Sequence, residues 1–338
     1  MKLGILDQAP VTKGRPPKLA LEQALKLAQA GERLGYARYW LAEHHHLGGL
    51  ACSAPEIMLG YIGAQTSTIR LGAGAILLPY YSPYKVAETF HMLASLFPNR
   101  IDLGVARSPG GPAEASMALS DRFLERVWKL PELFEELLRF LDRDFPADHP
   151  YASLAADPLP AIPPEPWILG TSEKSAMLAA QKGVAYAYGH FMNRDNAHRA
   201  IDTYIRHFQP VRSLPKPYVL LAVSAVCADT ADKARKTALS SYIWRLQTAD
   251  GSGSDGLPSP EEATAYAAAR SLDTAAGLDK ALEKTMIVGS PAEVKQRLDA
   301  LQAAYRPDEL MILSYAYDFE DRLRSYELIA RAMLSGQT

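Results

Sequence analysis

Short apolar runs alternate with amphipathic stretches along the chain, the pattern of successive βα units around a parallel sheet. Leu3 to Leu6 opens the series. After a Pro-rich loop (Pro10, Pro16, Pro17), the stretch Leu19 to Leu34 carries Leu21, Ala24, Leu25, Ala28 and Gly31 on one face at helical spacing. The alternation predicts further strands at Tyr39 to Ala42, Ile69 to Leu78, Ile101 to Val105, Trp167 to Leu169, Val184 to Tyr188, Tyr218 to Cys227 and Glu309 to Leu313. The intervening helices are expected at Pro55 to Thr66, Pro83 to Leu96, Arg122 to Leu141, Glu173 to Gly183, Asn193 to Phe208, Thr230 to Leu246 and Phe319 to Met333. Pro83 suits a first helical turn and Gly183 a C-terminal cap.

Eight strand–helix units are the count of a closed (β/α)8 TIM barrel of the α/β class. An open doubly wound sheet competes, but Asp7-Gln8-Ala9-Pro10 after the first strand is no Gly-x-Gly-x-x-Gly turn. Two excursions interrupt the repeat. One is the Pro-rich stretch Asp142 to Pro166. The other lies between strands 7 and 8, with a Gly- and Ser-rich loop at Asp250 to Pro260 (a candidate lid) and helices at Glu261 to Arg270, Thr274 to Thr285 and Pro291 to Leu301. These insertions account for the excess of 338 residues over the roughly 250 of a plain barrel, so residues 1–338 read as one domain.

Charge changes the picture only by exclusion. A net charge of −2 leaves no basic footprint for nucleic acid. No apolar run approaches the roughly 20 residues of a membrane span. Cys52 and Cys227 stand far apart, and the start at Met1-Lys2-Leu3-Gly4 lacks the regions of a signal peptide, so a cytoplasmic location is expected.

A barrel builds its site just past the C-terminal ends of its strands. There stand Glu43-His44-His45-His46, Gly72-Ala73-Gly74-Ala75, Ala106-Arg107-Ser108, Gly170-Thr171-Ser172 and Gly189-His190. In an extended chain only His44 and His46 could aim at one metal ion, with Glu43, His91 or His190 as a third ligand. The other readings are packing histidines, or an acid or base titrating near neutral pH. Gly170-Thr171-Ser172 before a helix is either an ordinary N-cap or a phosphate cradle, with Ser175 one turn further in. Arg107, on the neighbouring strand end, favours the cradle because a guanidinium can grip phosphate through two donors. The small residues from Gly72 to Ala75 suit a flat ring against the backbone, or a tight helix–strand contact. Tyr80, Tyr81, His190, Phe191 and Met192 suggest an apolar ligand pocket, or packing against neighbouring helices.

Several blocks carry a resemblance: Tyr39-Trp40-Leu41-Ala42-Glu43-His44-His45, Leu77-Leu78-Pro79-Tyr80-Tyr81-Ser82-Pro83, Asn99-Arg100-Ile101-Asp102-Leu103-Gly104-Val105-Ala106-Arg107, Trp167-Ile168-Leu169-Gly170-Thr171-Ser172, and Val288-Gly289-Ser290-Pro291. Through them the chain resembles the bacterial luciferase-like flavin-dependent monooxygenases, in their single-chain group. The resemblance implies a monooxygenase that takes reduced FMN from a separate flavin reductase and oxygenates a small apolar substrate through a flavin hydroperoxide. It implies His44 as the catalytic histidine and a cis peptide at Gly74-Ala75 behind the flavin ring. Arg107, Gly170, Thr171, Ser172 and Ser175 fall where relatives hold the FMN phosphate, while Glu43, Tyr80 and His190 are expected at the substrate pocket. A homodimer and no metal are expected. The same fold admits F420-dependent hydride transfer, and flavin binding without turnover. Two departures stand out: Asn99 replaces a turn glycine, and Ala106 replaces the reactive cysteine of luciferase.

Overall fold

The computed structural model describes residues 1–249, 255–270 and 275–334. Nine strands follow in chain order: β1 (Lys2–Asp7), β2 (Arg38–Leu41), β3 (Arg70–Leu77), β4 (Ile101–Ala106), β5 (Glu165–Gly170), β6 (Ala185–Gly189), β7 (Val219–Cys227), β8 (Ile287–Gly289) and β9 (Glu309–Leu313). The early helices are α1 (Pro17–Leu34), α2 (Pro55–Gly63), α3 (Pro83–Leu96), α4 (Ala113–Leu119), α5 (Phe123–Trp128) and α6 (Leu130–Asp142). The later ones are α7 (Glu173–Gln181), α8 (Ala197–His207), α9 (Ala231–Ala249), α10 (Pro260–Ala269), α11 (Ala275–Thr285), α12 (Pro291–Tyr305) and α13 (Phe319–Leu334).

Eight of the strands close a parallel barrel. β1 to β6 pair in sequence, β6 pairs with β7, β7 with β9, and β9 with β1. The expected TIM barrel is therefore formed, and the last barrel strand is Glu309–Leu313 as the sequence indicates. β8 is an addition inside the insertion, pairing only with the outer end of β7 from Ala225 to Cys227. At three residues it is too short to leave a periodicity of its own. The helix expected from Arg122 to Leu141 is broken at Lys129, because Pro131 in the first turn of α6 has no N–H to continue the ladder. Asn99 takes a left-handed φ of 60°, the conformation that lets it replace a turn glycine. Of the loop expected at Asp250 to Pro260, residues 250–254 lie outside the described residues. Its end is docked: Leu257 is buried and its backbone exchanges hydrogen bonds with Val11 and Lys13. Among the described residues no helix is long and apolar enough to cross a membrane.

Two apolar layers follow from the alternation along each strand. Outward residues such as Ile5, Leu71, Val105 and Leu221 pack under the helices, while Leu6, Trp40, Trp167, Leu220 and Met311 fill the lumen. Trp40 and Trp167 meet edge to face at 5.0 Å.

Below the tryptophans lies a layer of charge. Arg38, 4% exposed, donates from Nη1 to Asp102 Oδ2 at 2.7 Å and from Nε to both oxygens of Glu309 at 3.0 Å. Trp40 Nε1 adds a donor to the same Asp102 oxygen at 2.8 Å, and Arg70 bridges Asp102 to Glu165. Burial pushes the Glu309 carboxyl up, and Arg38 beside it pulls the other way. Both Asp102 and Glu309 are fully buried, so they depend on this guanidinium. Replacing it as Arg38→Met should cost about 3–5 kcal/mol in urea unfolding at pH 7. The deficit should narrow toward pH 4, because without Arg38 the Glu309 carboxyl is raised further, so that protonation stabilises the folded variant more than the wild type. An unchanged urea midpoint would show that the charge layer is dispensable.

Candidate active site

The C-terminal strand ends surround a cavity of about 470 Å³, within the size range of small-molecule sites. Trp40, Leu220 and Met311 form its floor, and Glu43, His44, Gly74, Ala75, Arg107, Gly170, Thr171, Ser172 and Ser175 all border it. Most of the residues expected at the site from sequence thus meet around one space.

The three consecutive histidines part company. His44 lines the cavity, and its backbone N–H donates to Cys52 O at 2.9 Å. Its ring Nδ1 is buried with no hydrogen-bond partner. Burial, and His45 beside it, pull its pKa down to about 4, so the imidazole is neutral at pH 7. His45 Nε2 lies 2.7 Å from Glu43 Oε1. His46 turns to a φ of 51° and is exposed. That turn breaks the extended geometry that would aim His44 and His46 at one ion. Among the described residues no three His, Cys, Asp or Glu side chains form a metal-binding group.

Glu43 borders the cavity, but its carboxylate faces the protein. It accepts from Leu77 N–H at 2.9 Å and from Tyr81 O–H at 2.6 Å as well as meeting His45. It thereby ties the ends of β2 and β3 together, next to His44. Asp7 does the same at the end of β1, accepting from the N–H groups of Gln8 and Ala9, from Tyr39 and from Arg322.

β5 delivers the chain into α7 at Gly170, where a Cβ would fall 2.3 Å from Ser175 Oγ. Ser172 caps α7, accepting from Ser175 N–H at 3.3 Å, and the Ser175 hydroxyl returns to Ser172 O at 2.7 Å. The N-cap is therefore real, and it coexists with a cationic corner. Arg107 Nη2 reaches Ser172 Oγ at 3.4 Å, is exposed, and pairs with no carboxylate among the described residues. The Thr171 hydroxyl likewise has no partner there. Lys174, which also borders the cavity, adds a second cation.

The run of small residues has a local cause. A Cβ at Gly72 would lie 2.4 Å from Trp40 Nε1, so the indole, rather than a helix, fills the space. Gly74 and Ala75 lie higher, against the cavity, and the peptide between them is cis.

Tyr80 and His190 do not line this cavity. The Tyr80 hydroxyl meets Pro109 O at 2.7 Å and Ser116 Oγ at 2.8 Å, and its ring stacks on Phe123, so it braces the loop after β4. Tyr81 is held by Glu43. His190 points into a second cavity, while Phe191 and Met192 from the same turn border the first. Gln8, Trp128 and Lys174 also border it. Gln8 directly follows β1 and was open to the strand-end rule. Trp128 and Lys174 sit on helices and carry no signal of that kind.

Comparison with known proteins agrees with this geometry. A family model described as luciferase-like monooxygenase matches residues 1–306. The chain is 44% identical to the uncharacterized protein YceB of Bacillus subtilis (strain 168), covering 98% of this chain and 99% of that one. It is 35% identical to the N-acetyl-S-alkylcysteine monooxygenase of the same organism, covering 100% and 99%. The crystal structure of apo-MsnO8, 35% identical and covering 98% of both chains, superposes with a TM-score of 0.88. Such similarity over nearly the full length, on the same barrel, means that the chain belongs to the luciferase-like monooxygenases, a family of oxidoreductases.

Proposed function

We propose that the protein is a flavin-dependent monooxygenase that takes reduced FMN from a separate reductase and oxygenates a small, largely apolar organic substrate. The observation that carries this reading is Arg107: a cation with no counter-charge among the described residues, set against the capped N-terminus of α7 at the mouth of an apolar chamber. The residues suit FMN. The corner offers a guanidinium, the Ser172 and Thr171 hydroxyls and the first amides of α7, a donor set for a phosphate dianion. Next to it, Gly74 and Ala75 present little more than backbone, which suits the face of a flat ring. FMN in its reduced form supplies the electrons that activate O2 for transfer of one oxygen atom to the substrate.

The chain's part is to bind, orient and keep dry. Leu6, Leu77, Leu169 and Met311 line the chamber and disfavour water. His44 brings a neutral imidazole, able to accept a proton at its free ring nitrogen or to donate its N–H. Glu43 positions His44 from behind by fixing the β2 end. The substrate of the S-alkylcysteine enzyme, 35% identical, makes thioethers the first compounds to test. The protein acts as a homodimer on this reading, because Ile57 (71% exposed) and Tyr61 on α2 and Met92 and Leu96 on α3 present apolar side chains outward at helical spacing.

Three outcomes follow. Titration with FMN under reducing conditions should give saturable binding, weakened roughly tenfold or more by Arg107→Gln; binding of F420 alone would overturn the assignment. With reduced FMN supplied to a panel of thioethers, aldehydes, alkanes and sulfonates, His44→Asn should lower oxygenation by about 100-fold. The rate should hold down to about pH 4 and fall below it. An acid limb near the ordinary histidine value, or an active His44→Asn variant, would remove His44 from the chemistry. Light scattering should give a dimer that Ile57→Asp and Leu96→Asp convert to monomer, whereas a wild-type monomer refutes the dimer.

A further inference from the structure

A second cavity, of about 330 Å³, opens beside the first, across the turn that follows β6. Its wall brings together His190 and Arg194 from that turn, Ser224 from β7, and Glu283 and Arg297 from α11 and α12. None of these groups has a part in the chamber described above.

The charge here is unbalanced. Arg194 Nη1 donates to the Glu283 carbonyl oxygen at 2.7 Å, and Arg297 Nη2 to Glu283 Oε1 at 2.7 Å. Arg245 on α9 is close enough to act with burial and Arg297 in lowering the pKa of Arg194, while Tyr305 acts the other way. Among the described residues two guanidinium groups thus line the cavity against one carboxylate, and that carboxylate sits on Arg297.

The donors are also unsatisfied. Arg194 Nε is buried without a hydrogen-bond partner, and Nη2 has none among the described residues. Nε is closed off from the cavity, so Nη2 is the donor an entering oxyanion would meet. His190 is 6% exposed, packs against Tyr305 at 5.4 Å, and makes no side-chain hydrogen bond among the described residues. Donors that border a cavity and meet no acceptor of the chain are open to one from outside it.

We propose that this cavity binds a small molecule through an oxyanion group, a phosphate ester or a carboxylate, that accepts from Arg194 Nη2. Arg297, held by Glu283, adds further N–H donors, and His190 and Ser224 add neutral ones. The site stands independently of the reading given to the first chamber.

Isothermal titration of the full chain with inorganic phosphate, and separately with acetate at fixed ionic strength, tests it. Because Arg107 also attracts phosphate, the host is the Arg107→Gln variant. That host should retain one anion site, and adding Arg194→Gln or Arg297→Gln should weaken it roughly tenfold or more. Circular dichroism checks the fold, and if Arg194→Gln unfolds the chain, Arg297→Gln carries the comparison. Tighter binding of phosphate than of acetate identifies a phosphate ester, and the reverse a carboxylate. No binding of either anion to the host, or undiminished binding when Arg297 is replaced, overturns the proposal.

Discussion

Arg38 must keep its charge in a place water does not reach, and the barrel is built to let it. Its guanidinium is the first side chain of β2, and its partners Asp102 and Glu309 stand at the starts of β4 and β9. Arg70 at the start of β3 extends the contact to Glu165 on β5. Five of the eight barrel strands are therefore tied at their lower ends by charge–charge hydrogen bonds that tolerate little slippage in register. Gly4 on β1 leaves the room, since a Cβ there would lie 2.7 Å from Glu309 Oε1. Trp167 lies over Arg38 at 4.7 Å from its ring, so the ion network also sets the height of the aromatic floor. Everything above that floor inherits its level.

The upper rim treats charge differently. Asp7 and Glu43 are buried there too, and both are used up locally: Glu43 by an amide, a hydroxyl and His45, Asp7 by two amides, a hydroxyl and the Arg322 guanidinium. Both are consumed in holding loops, and neither carboxylate confronts the cations by the chamber. Arg107 and Lys174 therefore project a positive field across one corner of an otherwise apolar space. A net charge of −2 gives no hint of this arrangement, because the neutrality is an average over a compensated floor and an uncompensated corner.

Much of this was legible in the chain. The eight-fold alternation identified the barrel, because a closed parallel sheet needs each strand to read as a short apolar run and each helix as a stripe. The strand-end rule found Glu43, His44, Arg107 and the Gly170-Thr171-Ser172 corner, because those positions are set by backbone direction alone. His190, from the same rule, borders the second cavity instead, and the pocket candidates Tyr80 and Tyr81 pack against neighbours, because the facing of each side chain depends on a turn. Tyr80 was lost to Phe123 and Ser116, contacts made across the α4–α5 segment that no local pattern encodes. Lys174 and Trp128 were invisible for a related reason, since they reach the chamber from helices whose placement is tertiary. The bottom layer was equally hidden: Arg38, Asp102 and Glu309 look like ordinary strand-end charges until the barrel closes and makes neighbours of them.

The docking of Leu257 onto Val11 and Lys13 bears on how the site comes into being. Gln8 enters the chamber from the loop that this contact steadies, and Tyr315 hydrogen-bonds to Gln8 from beyond β9. Arg322, 315 residues from its partner Asp7 in sequence, clamps the base of the same loop. Closing so long a loop costs entropy that the packing of the intervening chain must offset. The first loop of the chain thus takes part of its support from the last third of the sequence. A nascent chain that has completed β1 to β6 has most of the Arg107–Ser172 corner but not the wall opposite it, and full assembly of the chamber reports that the C-terminal third has folded.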